Sequence, residues 1–163
     1  MLPSEYMSEI VLPTVDEHLK AMGDRRLAYL ACIATYHVRD YLSRAGAGDT
    51  GAIVAQMRGV CANSFDVVEG ICNGSKHCGN SRDDFLFAPG AEQVIPVFAF
   101  GVPGSGWGVS RWDVPGLLVE HKGHRMFVDH CVCAVLSTTG NSTRRTSRRL
   151  TSKHTEPGCP GGH

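Results

Sequence analysis

Leu117-Leu118-Val119-Glu120-His121-Lys122-Gly123-His124-Arg125-Met126-Phe127-Val128 is the stretch on which the fold class turns. Two short runs rich in apolar residues meet at Lys122-Gly123, a two-residue link of the kind that closes a β-hairpin. Before residue 90 the apolar positions recur at three and four; after it the period shortens toward two. A hairpin is therefore predicted in a chain that otherwise reads as helical, which makes the fold α+β.

On the N-terminal side of the hairpin, Val94 to Phe100 reads as a further strand. Gly101 to Gly108 follows, with Pro103 and Trp107 among its glycines. This loop has neither the dinucleotide-binding glycine pattern nor a Gly-Lys-Ser/Thr phosphate loop, and it leads into strands rather than a helix N-terminus. On the C-terminal side, Asp129 reads as the cap of a short last helix, about His130 to Leu136. About four helices are expected before residue 78. The first covers 14–22, with Thr14 as cap and Asp16 and Glu17 in its first turn. Asp24 caps the second, Arg25 to about Arg44, whose inward stripe is Leu27, Leu30, Ala34, Val38, Tyr41 and Leu42. The third runs from Gly51 to Ala62 on Ile53, Met57, Val60 and Cys61. Asn63-Ser64 reads as an interruption, and the fourth continues to His77 with Phe65, Val68, Ile71 and Cys72 inward.

At 163 residues, 42% hydrophobic and 20% charged, the chain has the length and composition of one packed domain. Residues 1–139 are expected to form it. That span is mildly acidic, with 11 Lys/Arg against 15 Asp/Glu, and offers no electrostatic footprint for nucleic acid. Residues 140–163 carry Arg144, Arg145, Arg148, Arg149 and Lys153 against Glu156 alone. This Ser/Thr/Pro/Gly-rich basic tail is expected to be disordered, and is the only feature suggesting nucleic acid. It reads as foreign to the fold that precedes it. No apolar run reaches the ~18 residues of a membrane span, and the N-terminus lacks the pattern of a secretory signal. With seven cysteines, an odd number without regular spacing, reduced thiols in the cytoplasm are expected.

Three constellations bear on chemistry. Cys72, His77 and Cys78, with His121, His124, His130, Cys131 and Cys133, are zinc-type ligands, but no C-x2-C or H-x3-H pair occurs, so no metal or cofactor is expected. Cys78 follows His77 directly; adjacent helical residues diverge by about 100°, so it reads as an incidental thiol. His37 and Asp40 share a helix face, and Asn73-Gly74-Ser75-Lys76-His77 closes the fourth helix. His37, Asp40, Asn73, Lys76 and His77 are thus the candidate site, with a structural polar cluster as the alternative. His37 is expected to touch the 73–77 segment.

The motifs Tyr36-His37-Val38-Arg39-Asp40 and Ile71-Cys72-Asn73-Gly74-Ser75-Lys76-His77, followed by a Gly/aromatic loop and a strand pair, resemble an uncharacterised bacterial family of small helical-bundle proteins. Its members carry an Asn-Ala-Ser-Lys-His-like motif. The resemblance spans about 14–139 and implies the bundle and hairpin, but no activity. The bundle is also distantly similar to HEPN domains, some of which cut RNA with an Arg and a His separated by four to six intervening residues. Here Cys72, Ile71 and Gly70 hold that spacing before His77. The sequence therefore points to a non-enzymatic bacterial cytosolic binding or scaffold module with a possible protein partner. An RNA-cleaving or nucleotide-modifying HEPN-like protein is the alternative, and a metal-binding module comes third.

Overall fold

The computed structural model describes residues 1–76, 93–95 and 115–139, with the backbone alone at Lys76 and at 93–95. Helix begins earlier than expected. Helix α1 (Pro3–Tyr6) runs through a π-helical turn (Met7–Val11) into α2 (Leu12–Lys20). Pro3 occupies the first turn, where its missing N–H is no loss, and Glu5 accepts the Leu2 N–H at 2.7 Å. The widened turn lies immediately ahead of Pro13, whose ring does not fit against a regular preceding turn. Thr14 is therefore inside a helix rather than capping one. Its hydroxyl donates back to the Ile10 carbonyl at 2.6 Å.

Helix α3 (Arg25–Arg44) has the expected limits, and the Asp24 carboxylate accepts the Leu27 N–H at 3.1 Å. Its buried face differs from the expected stripe. Ala28, Ala31, Cys32, Ala34, Thr35, Tyr36, Val38 and Leu42 point inward, whereas Leu30 is 41% exposed. Small residues let α3 approach α2 and α4 closely, so bulk is displaced to the outside.

Helix α4 (Thr50–Lys76) joins the expected third and fourth helices through one non-helical residue, Cys61 (φ −141°, ψ 50°). The break thus falls ahead of Asn63-Ser64, not at it. Ile53, Met57, Phe65, Val68, Ile71 and Cys72 are buried as expected, but Val60, just before the kink, is 71% exposed. The change of direction at Cys61 ends the inward stripe of the first half early.

Strands β1 (Gln93–Ile95), β2 (Gly116–His121) and β3 (His124–Phe127) form an antiparallel sheet in that order. His121 pairs with His124 across the turn. Lys122 and Gly123 both have positive φ (50° and 76°), the conformation a two-residue hairpin requires. Gly116 is the point of closest approach: a Cβ there would lie 2.6 Å from the Phe127 ring. Helix α5 (128–139) follows β3 without a gap, so Asp129 sits in its first turn, 4% exposed, instead of capping it. Val128, Cys131, Val132 and Val135 of α5 join Leu117 and Val119 of β2 and the buried faces of α3 and α4 in one core. The fold is α+β with the helices N-terminal. Among the described residues no helix is long and apolar enough to cross a membrane.

Candidate functional site

The C-terminal half of α3 faces the N-terminal helix across an open cavity of about 340 Å³, lined by Tyr6, His37, Asp40, Tyr41 and Arg44. Helical spacing places His37, Asp40, Tyr41 and Arg44 on neighbouring turns. His37 Nδ1 lies 2.7 Å from Asp40 Oδ2, and the two side chains are 30% and 39% exposed. Arg39 Nε is 3.5 Å from the other carboxylate oxygen, while its guanidinium covers the Tyr36 ring at 3.7 Å. The rings of Tyr6 and Tyr41 stack at 3.9 Å with an interplanar angle of 11°. Tyr6 donates its hydroxyl to the Ala34 carbonyl at 3.0 Å. Burial, helped by Tyr41, Asp40 and Cys72, pushes the Tyr6 phenol up to about 12. Tyr6 is therefore a neutral wall and a donor. Arg44, the last residue of α3, has no ion-pair or hydrogen-bond partner among the described residues.

A second polar cluster surrounds the kink of α4. Arg58 donates from Nε to Asp66 at 3.2 Å and from Nη2 to Glu69. In a straight helix those carboxylates would lie roughly 12 Å and 16 Å along the axis from Arg58. One guanidinium holds both because the chain turns at Cys61. Glu69 accepts the Tyr36 hydroxyl at 2.8 Å. Asp66 accepts from Lys122 Nζ at 2.9 Å and meets His121 Nε2 at 3.3 Å, which ties the hairpin to α4. Burial raises the Asp66 pKa, but Lys122, Arg58 and His121 outweigh it and hold the carboxyl below its ordinary value. Burial and then the Glu69 bond push Tyr36 up to about 12, although Arg39 and then Asn73 oppose the rise. Cys61 Sγ lies 3.9 Å from Thr138 Oγ1, so α5 also rests on the kink.

The expected site thus divides. His37 and Asp40 do line one open cavity. Asn73 acts on the Tyr36 phenol, next in sequence to His37. The Lys76 side chain and His77 lie outside the described residues, as do Cys78, the glycine loop and the basic tail. Tyr6, Tyr41 and Arg44 were not singled out as site residues in the sequence. The spacing of Asp40 to Arg44 was a usable signal for one of them, whereas no local pattern joins Tyr6 to α3. Arg58, Asp66 and Glu69 were missed because their separations are not those of any regular helix. Cys32, Cys72 and Cys131 are buried, and burial raises the Cys131 thiol to about 12, so it is inert as a nucleophile. Among the described residues no three His, Cys, Asp or Glu side chains converge to hold a metal ion. No family model matches the chain, and neither the curated proteins nor the solved structures compared with it include a match.

Proposed function

We propose that the protein is a non-enzymatic binding module whose ligand site is the cavity between the N-terminal helix and α3. The observation that carries this reading is the contrast in how the two polar clusters are occupied. The carboxylates at the α4 kink are bound to cations and hydroxyls of the protein itself. In the cavity, Arg44 has no partner among the described residues, and Asp40 receives one short hydrogen bond from them where a carboxylate can accept about four. Convergent polar groups beside an aromatic wall in an open cavity are the features of a small-ligand site. The reading keeps the cytoplasmic setting expected of a chain with seven cysteines in no regular spacing.

The test is a fragment titration of the isotopically labelled full chain followed by NMR. Shifts confined to Tyr6, His37, Asp40, Tyr41 and Arg44 are expected. Shifts only around Arg58 and Asp66, or none at all, would overturn the reading. The RNA-cleaving alternative is favoured by one observation, the carboxylate-oriented His37, which is the geometry of a general base and its orienter. Cleavage of single-stranded RNA that disappears in His37→Ala would replace the binding reading with that one.

A further inference from the structure

Asp40 and Arg44 are four residues apart on α3, acid first, the spacing and order that favour a direct ion pair across one helical turn. They do not make it. Asp40 is turned to His37 and Arg39, Arg44 stands without a partner among the described residues, and the cavity opens between them. We propose that this unmade pair is a clamp for a zwitterion, a free α-amino acid with an aromatic side chain. The proposal rests on the reading of the cavity as the ligand site.

The chemistry follows from the lining. The ligand ammonium sits against Asp40, whose remaining lone pairs accept its protons, while His37 fixes the carboxylate rotamer from the far side. The ligand carboxylate sits against the Arg44 guanidinium, which can hold it by two parallel hydrogen bonds. The two charged side chains are anchored one helical turn apart, with Cβ atoms about 5–6 Å from each other. Side chains anchored so closely can converge on charges joined through a single carbon atom. Tyr41, half-buried and stacked on Tyr6, supplies a flat π surface beside the charges. An aromatic ligand ring packs offset or edge-on against it. At about 340 Å³ the cavity is near the lower end of small-ligand sites and takes one amino acid rather than a peptide.

Calorimetric and NMR titrations of the full chain with four probes test the clamp: L-phenylalanine, N-acetyl-L-phenylalanine, phenethylamine and 3-phenylpropionate. L-phenylalanine is expected to bind, and each analogue lacking one charge to bind at least about tenfold more weakly. Asp40→Asn should weaken L-phenylalanine and phenethylamine and spare 3-phenylpropionate. Arg44→Gln should weaken L-phenylalanine and 3-phenylpropionate and spare phenethylamine. Thermal melts of both variants confirm folding, and a shift in the melting temperature of wild-type protein with L-phenylalanine gives a second readout. Equal binding of all four probes overturns the clamp. So does absence of L-phenylalanine binding while library fragments still shift the cavity resonances, an outcome that leaves the binding reading standing. Absence of any shift in the cavity overturns both.

Discussion

Of the histidine–aspartate pairs among the described residues, two invite direct comparison, and the shorter is the one expected to matter less to folding. His37 and Asp40 meet at 2.7 Å with side chains 30% and 39% exposed. His121 and Asp66 meet at 3.3 Å with side chains 0% and 15% exposed. Distance alone ranks the first pair higher; solvent reverses the order. Water competes for an exposed pair and screens it, so its net contribution is small. Removing one member of a buried pair leaves the other desolvated without its partner. The Asp66 pair also belongs to a cluster that fixes three things together: the kink of α4, the position of Tyr36 on α3 and the docking of the hairpin. The His37 pair belongs to the wall of the open cavity.

Asp66→Ala should produce the largest loss. It removes a partner of buried His121 and of Lys122, and one of the two carboxylates of Arg58. A destabilisation of about 2–4 kcal/mol is expected in denaturant melts. Asp40→Ala, the same change in the exposed pair, should fall below about 1 kcal/mol. Equal losses for the two would erase the distinction drawn between the clusters.

Gly116→Ala should rank next. β2 carries His121, and Lys122 follows it directly, so the cluster at Asp66 depends on how closely that strand approaches β3. A methyl group 2.6 Å from the Phe127 ring forces the ring or the strand aside. Overpacking of this kind costs about 1–3 kcal/mol. Asp66→Ala combined with Gly116→Ala should then lose less than the two changes separately, because the displaced hairpin already weakens the contact at Asp66. Strict additivity would show that the strand position and the Asp66 cluster are independent.

What the sequence made legible followed the range of the interaction. The Asp24 cap with its helix through Arg44, the Lys122-Gly123 hairpin and the shared face of His37 and Asp40 are all set by neighbours within four residues, and each stands as expected. Leu30 and Val60 misled because periodicity shows that a stripe exists, while close packing decides which side of it is buried. On α3 the contact is made by Ala28, Ala31 and Cys32, so the larger Leu30 faces outward. Arg58, Asp66 and Glu69 come together only after the chain turns at Cys61, and Asn63-Ser64 drew the expected break away from that position. Tyr6 reaches the candidate site from a helix start hidden behind two prolines, Pro3 and Pro13.

Acidification separates the clusters without mutation. The folded Asp66 carboxyl titrates below its ordinary value, so the unfolded chain takes up its proton first as pH falls. The stability this confers is present above the unfolded value, about 3.9, and is lost as pH drops through the lower folded value. The melting temperature of wild-type protein should therefore fall below about pH 4. The acid limb should shrink in Asp66→Asn and persist in Arg44→Gln, which leaves the kink cluster intact. An acid limb unchanged in Asp66→Asn would assign the effect to other carboxyls.

The smallest effect is expected at His37. Its ring meets Asp40 three residues along the same helix, and that contact closes no long loop. Both side chains are partly solvated, and a solvent-screened i,i+3 pair contributes a few tenths of a kcal/mol, so His37→Ala should cost less than about 1 kcal/mol. The informative comparison is His121→Ala, in which the same chemical change empties a fully buried site between the hairpin and α4. That variant should lose several times as much, through the cavity left behind and the partner removed from Asp66. A loss of 1–3 kcal/mol for His37→Ala would instead reveal a buried connection from His37 toward the 73–77 end of α4. In that event the wall of the cavity would be part of the folding core. Denaturant melts of the two alanine variants, read with the same probe, decide between these outcomes.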